Sequence, residues 1–193
     1  MDIKFKFRHT FYYLLVVLLI ACQSEVMPND SICEAVPLDL TTYNPILFPH
    51  DIEYLVIHCT ATPEGRDLTR DDLDRIWESR DFERPGYHMV INLAGEVIFQ
   101  GEIDDCLMEY EEMRWGVSNM NHKTLHLSYV GGVDLLGEAK DTRTSAQINT
   151  LIQMITFVKG ICPDIKIRGH KDFSKKACPS FEVSNFLTTF DIH

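Results

Sequence analysis

Glu53-Tyr54-Leu55-Val56-Ile57-His58-Cys59 decides the fold of this chain. The run is short, apolar, and rich in β-branched and aromatic side chains. That pattern predicts a strand buried on both faces, hence an inner strand of a sheet. A polar loop follows, Thr60-Ala61-Thr62-Pro63-Glu64-Gly65. Thr69 then caps a helix, with Asp72 three residues on. Leu73, Ile76 and Trp77 fall on one face of that helix, opposite Arg70, Asp71, Asp74 and Glu78. Arg84-Pro85-Gly86 breaks the chain. Residues 87–93 read as a strand, Ala94-Gly95-Glu96 as a turn, and residues 97–100 as an antiparallel partner. Residues 102–114 are acidic and read as an irregular surface loop. Residues 124–130 form another strand, ended by Gly131-Gly132. Thr144 with Gln147 makes a capping box. Ile148, Leu151, Ile152, Ile155 and Val158 continue at helical period, with Gly160 as the expected stop. Residues 165–168 form a last short strand and 181–190 a closing helix. Strands and helices alternate, so the expected class is α/β, a central mixed β-sheet flanked by helices.

The first residues read differently. Lys4, Lys6 and Arg8 form a basic start, and residues 11–21 are an unbroken apolar run. A bilayer span needs about 20 such residues, so the run is too short to cross. It matches the hydrophobic core of a secretory signal. It ends in Leu19-Ile20-Ala21-Cys22, which resembles the bacterial lipobox, where the peptide is cut before a cysteine that becomes lipidated. The expected organisation is a signal peptide at 1–21, a tether at 22–50 and one domain at 51–193. Pro28, Pro37, Pro45 and Pro49 argue against a helix in the tether. A lipid at Cys22 implies membrane attachment without a span and a bacterial cell envelope address.

The chain has 193 residues, 45% of them hydrophobic and 24% charged, which is globular composition. Net charge is −11. Removing residues 1–21 takes three of the 18 basic and one of the 29 acidic residues, leaving −13. Such a balance disfavours nucleic acid, whose binding rests on neutralising phosphates. A monomer is expected. Six cysteines are present. An oxidising envelope permits disulfides among Cys33, Cys59, Cys106 and Cys162, in a pairing that sequence leaves open.

The chemistry gathers at two places. His58 ends the apolar strand. Arg168-Gly169-His170-Lys171-Asp172 and Lys176-Ala177-Cys178-Pro179 put a histidine, lysines and a cysteine close together after the last strand. A hydrolytic zinc takes three protein ligands and leaves its fourth position to water, and histidine and thiolate are favoured donors. His58, His170 and Cys178 meet that need. Spacing alone leaves rivals in place: Cys178 also suits a disulfide, Tyr87 a packed strand aromatic, and Lys176 an exposed charge beside Lys171 and Lys175.

The segments Val56-Ile57-His58-Cys59-Thr60-Ala61-Thr62, Gly86-Tyr87-His88-Met89-Val90-Ile91, Tyr129-Val130-Gly131-Gly132, Gly169-His170-Lys171-Asp172-Phe173 and Lys176-Ala177-Cys178-Pro179-Ser180-Phe181 resemble the zinc-dependent N-acetylmuramoyl-L-alanine amidases. This is the type 2 amidase family, which includes phage lysozyme-amidases and peptidoglycan-recognition proteins. The resemblance covers about residues 51–183. It implies the peptidoglycan-recognition-protein and phage-amidase fold, Zn2+ on His58, His170 and Cys178, and catalytic roles for Tyr87 and Lys176. It also implies a peptidoglycan or muropeptide substrate. A module of the same fold that holds peptidoglycan without cutting it is the rival; the presence of Cys178, Tyr87 and Lys176 argues against it. His88 is expected to be structural, and His50, His122, His126 and His193 have no assigned role. Asp172 is expected to brace its loop as an acceptor for a ligand histidine. Two departures stand out: Gly116 occupies the place of a histidine common in the family, and His126 that of a small residue. Both put the substrate groove in doubt.

Overall fold

The computed structural model describes residues 49–192. The expected signal segment, Cys22, Cys33 and nearly all of the expected tether lie outside the described residues. In chain order the strands are β1 (His50–Asp51), β2 (Tyr54–Cys59), β3 (Thr62–Pro63), β4 (Met89–Ile91), β5 (Val97–Phe99), β6 (Leu107–Met108), β7 (Thr124–Tyr129), β8 (Gly132–Val133) and β9 (Lys166–Gly169). The α-helices are α1 (Arg70–Ser79), α2 (Ser145–Ile161) and α3 (Val183–Thr189). No helix among the described residues is long and apolar enough to cross a membrane.

The main sheet has five strands in the order β5-β4-β7-β2-β9. β4, β7, β2 and β9 run parallel, and β5 closes one edge antiparallel to β4. The sheet is therefore mixed, as its alternating elements predict, and β2 has a neighbour on each side. Successive side chains of a strand point to opposite faces. Leu55, Ile57 and Cys59 of β2, Leu125, Leu127 and Tyr129 of β7, and Met89 and Ile91 of β4 share one core with Leu151, Ile155 and Val158 of α2 and Val183 and Phe186 of α3. On the other face, Val90 packs with Leu73 and Trp77 of α1.

The helices begin where their caps place them. Thr69 and Asp72 exchange side-chain and backbone bonds in a full capping box. Thr144 and Gln147 do the same. Such a cap is typically worth about 1 kcal/mol. Gln147 adds more: its wholly buried amide donates to the carbonyls of Ile91 and Val130, tying the start of α2 to the sheet.

Three expectations need correction. α2 does not stop at Gly160; it runs through it to Ile161 and ends at Cys162. Gly160 is exposed, and a helical glycine there costs only about 1 kcal/mol. The acidic segment 102–114 is not merely a surface loop. β6 pairs with β1, Met108 is buried, and a disulfide joins Cys106 to Cys162. Asp172 accepts from the backbone N–H of Gly169, at 2.9 Å, and so braces a short 3-10 turn (His170–Asp172) rather than a histidine ring.

Candidate metal centre

Parallel strands end at the same edge of a sheet, and two of the three expected ligands sit there. His58 is the fifth residue of β2 and is wholly buried on the face opposite Leu55 and Ile57. His170 follows the last residue of β9, directly beside it. Cys178 is brought back by its own loop. The N–H of Lys171 donates to the Cys178 carbonyl at 2.7 Å, which folds residues 171–178 into a closed turn. The hydroxyl of Ser180 donates to the Gly132 carbonyl at 2.7 Å, and the buried phenol of Tyr129 donates to the Pro179 carbonyl at 2.7 Å. The peptide bond between Cys178 and Pro179 is cis.

The result is a compact donor set. One donor atom from each of His58, His170 and Cys178 lies within 4.8 Å of the other two. The two Nδ1 nitrogens are 3.1 Å apart, and Cys178 Sγ is 3.8 Å from His58 Nδ1. Tetrahedral zinc with bonds of about 2.0 Å to nitrogen and 2.3 Å to sulfur would separate two nitrogens by about 3.3 Å and nitrogen from sulfur by about 3.5 Å. The residues fit that ion. The thiols support it: Cys59 and Cys178 are free, and Cys178 Sγ accepts the backbone N–H of Cys59 at 3.2 Å. The two thiols interact: their side-chain contact lowers the Cys59 thiol, while that contact and burial raise Cys178.

Burial lowers the pKa of His58 well below the usual histidine value, reinforced by His126, His170 and the Lys176 charge. His170 is lowered by burial and then by Lys176. Both rings therefore stay neutral, the form a metal needs. Lys176 is exposed, yet its charge reaches both histidines. Lys171 instead pairs with Glu182. The ring of Tyr87 lies 5.0 Å from that of His58, and its hydroxyl donates to the Cys59 carbonyl at 3.4 Å. Burial, then the nearby thiols, raise the Tyr87 phenol, so it keeps its proton and remains a donor. Trp77 abuts Tyr87 edge-on, Phe82 stacks on Trp77, and half-exposed Trp115 leans on Phe82.

The sequence left two neighbours of this centre unassigned or merely structural. His126 Nδ1 lies 3.2 Å from His58 Nε2, and His88 Nδ1 accepts the backbone N–H of His126 at 3.0 Å. Both rings are wholly buried. Their place follows from register: His88 precedes β4 and His126 lies on β7, on the same face as His58. Alternation alone gives each strand two faces, and only the pairing shows which are shared.

Residues 48–181 match the family profile described as N-acetylmuramoyl-L-alanine amidase. The endolysin of Enterobacteria phage K11 is 26% identical over 136 residues, covering 70% of this chain and 85% of that protein. Among solved structures, the N-acetylmuramoyl-L-alanine amidase LysC from Clostridium intestinale URNW superimposes with a TM-score of 0.59 at 15% identity, covering 78% of this chain and 95% of that one. The ectodomain complex of peptidoglycan recognition proteins LCa and LCx, with tracheal cytotoxin bound, gives 0.55 at 15% identity, covering 75% and 86%.

Proposed function

The chain belongs to the N-acetylmuramoyl-L-alanine amidase family, and from that premise we propose that it is a zinc-dependent amidase. It would cut the amide between the lactyl group of N-acetylmuramic acid and the L-alanine of the stem peptide, in peptidoglycan or in muropeptides. The observation that carries this reading is the convergence of donor atoms of His58, His170 and Cys178 within 4.8 Å. These three would hold the ion. When bound, zinc lowers the pKa of a water towards about 7 and polarises an amide carbonyl. Attack on that carbonyl builds negative charge on its oxygen. Tyr87 keeps its phenolic proton and stands beside His58, so it is suited to donate to that oxygen. Lys176 supplies a cation at the solvent side of the same centre.

The test is direct. With zinc and purified peptidoglycan or a muropeptide, the protein should release free stem peptide and leave the glycan intact. Zinc bound stoichiometrically with no cleavage of either substrate would point instead to a binding module of the same fold.

The basic start, the apolar run and Leu19-Ile20-Ala21-Cys22 support a further part of the reading. The chain is cut before Cys22, lipid-anchored there to a bacterial envelope membrane, and acts as a monomer on a tether of residues 22–50, with residues 51–193 as the amidase domain. Cys22→Ala should move the protein from the membrane to the soluble fraction. Membrane retention of that variant would reject the anchor.

A further inference from the structure

Four histidines, on or next to four neighbouring strands, gather at this centre, and the metal needs only two of them. His88, His126 and His58 come from the β4, β7 and β2 rows, and His170 follows β9. His126 Nδ1 is 3.2 Å from His58 Nε2, and neither ring reaches solvent. Between two neutral imidazole nitrogens, one must donate and the other accept. Suppose His58 Nδ1 presents its lone pair to an ion. Its proton then sits on Nε2 and must be donated, and His126 Nδ1 is its acceptor. The opposite assignment puts a proton on His58 Nδ1, facing His170 Nδ1 at 3.1 Å, and leaves no lone pair for a metal.

The surroundings are shaped to this ring. A Cβ at Gly116 would come 2.5 Å from His126 Nδ1 and 2.6 Å from its Cγ. The backbone at 116 therefore lies directly against the imidazole, and any side chain there would drive it off His58. On the strand itself, the N–H of His126 is fixed by His88 Nδ1. With Nδ1 accepting, the His126 proton sits on Nε2, on the side of the ring away from His58.

We propose that His126 is a positioning residue of the metal centre: it accepts the His58 Nε2 proton, fixes the tautomer that turns His58 Nδ1 to the ion, and needs glycine at 116 to do so. This rests on the zinc reading above. Metal-ligating histidines are commonly oriented by an acceptor on their other nitrogen, and removing that acceptor typically weakens metal binding about 10–100-fold.

The test measures zinc affinity of the full-length protein by chelator competition, and the His58 tautomer in metal-free protein by nitrogen-15 NMR. His126→Phe keeps ring volume and loses the acceptor; it should weaken zinc about 10–100-fold and release the Nε2–H preference of His58. His126→Asn places an amide oxygen near the former Nδ1 and should restore affinity to within a few-fold, which a purely space-filling role would not allow. Gly116→Ala should weaken zinc like His126→Phe, and it carries the prediction if His126→Phe does not fold. Wild-type affinity and an unchanged His58 tautomer in His126→Phe or Gly116→Ala would overturn the proposal alone. Failure of the wild-type protein to bind zinc would overturn the metal reading and this one with it.

Discussion

Tyr129 donates its phenol proton to the carbonyl of Pro179 at 2.7 Å, in the buried interior. The end of β7 thereby holds the turn that presents Cys178. Tyr129→Phe keeps the ring and leaves that carbonyl without its donor. An unmet buried acceptor costs about 1–3 kcal/mol. The expected outcome is a loss of that size in denaturant unfolding, with weaker zinc retention because the cysteine arm loosens. Unchanged stability together with unchanged zinc affinity would separate the tyrosine from the turn.

Tyr87 and Lys176 should separate chemistry from metal binding. Neither is a proposed ligand, so Tyr87→Phe and Lys176→Met should keep zinc at wild-type stoichiometry. Each should lower kcat about 10²–10³-fold, the usual effect of losing one oxyanion donor. Metal content by mass spectrometry and single-turnover cleavage of a muropeptide check both halves. Loss of zinc in Tyr87→Phe would make the phenol a structural prop of His58.

Cys178→Ser, His58→Ala and His170→Ala should each abolish tight zinc binding and amidase activity together. Each variant should still unfold cooperatively, because the buried apolar core of β2, β4, β7 and α2 is made without these side chains. Activity surviving in Cys178→Ser would move the third ligand elsewhere.

The metal-free protein should lose stability on acidification. Burial lowers His126 to about 3 and puts His58 and His88 well below their ordinary value. The unfolded chain takes up protons near pH 6.5, while the folded chain holds these rings neutral. Protons then favour the unfolded state, so stability is complete above about 6.5 and falls as pH drops towards the folded values. Each such histidine contributes a slope of about 1.4 kcal/mol per pH unit in that window. Urea midpoints measured from pH 7.5 to 4.5 check this; a flat profile contradicts it. His88→Phe should reduce the slope.

Breaking the disulfide should loosen the far side of the molecule from the metal. Cys106→Ala with Cys162→Ala opens a loop of 56 residues, and such a crosslink is typically worth about 2–4 kcal/mol. Thermal unfolding should shift down while zinc stoichiometry stays at wild type. A loss of metal instead would tie segment 102–114 to the centre.

Much of this architecture was readable in the chain. The β-branched run ending at His58 marks an inner strand, and Thr69 with Asp72 and Thr144 with Gln147 mark helix starts because both caps are made by local atoms. Gly160 misled because a surface glycine with helical backbone is only mildly unfavourable, and Ile161 still has core to cover. The 102–114 segment misled because its polarity hides Cys106 and Met108, which are fixed by partners far along the chain. At the centre, His58, His170 and Cys178 could be named from residue type and motif. His126 could not be placed, because its role depends on a register set by β2 and β7 together. The odd pair Gly116 and His126 was the visible trace of that contact.

The proposed ligands His58 and His170 stand 112 residues apart and meet only across β2 and β9. Non-local pairings of this kind form late, since long loops must close before they are rewarded. An unfolded chain would offer a passing ion at most the nearby pair His170 and Cys178. Zinc would therefore load onto finished molecules and could not act as a template for them. Cells starved of the metal should accumulate an intact, inert protein that awakens without resynthesis once the ion returns.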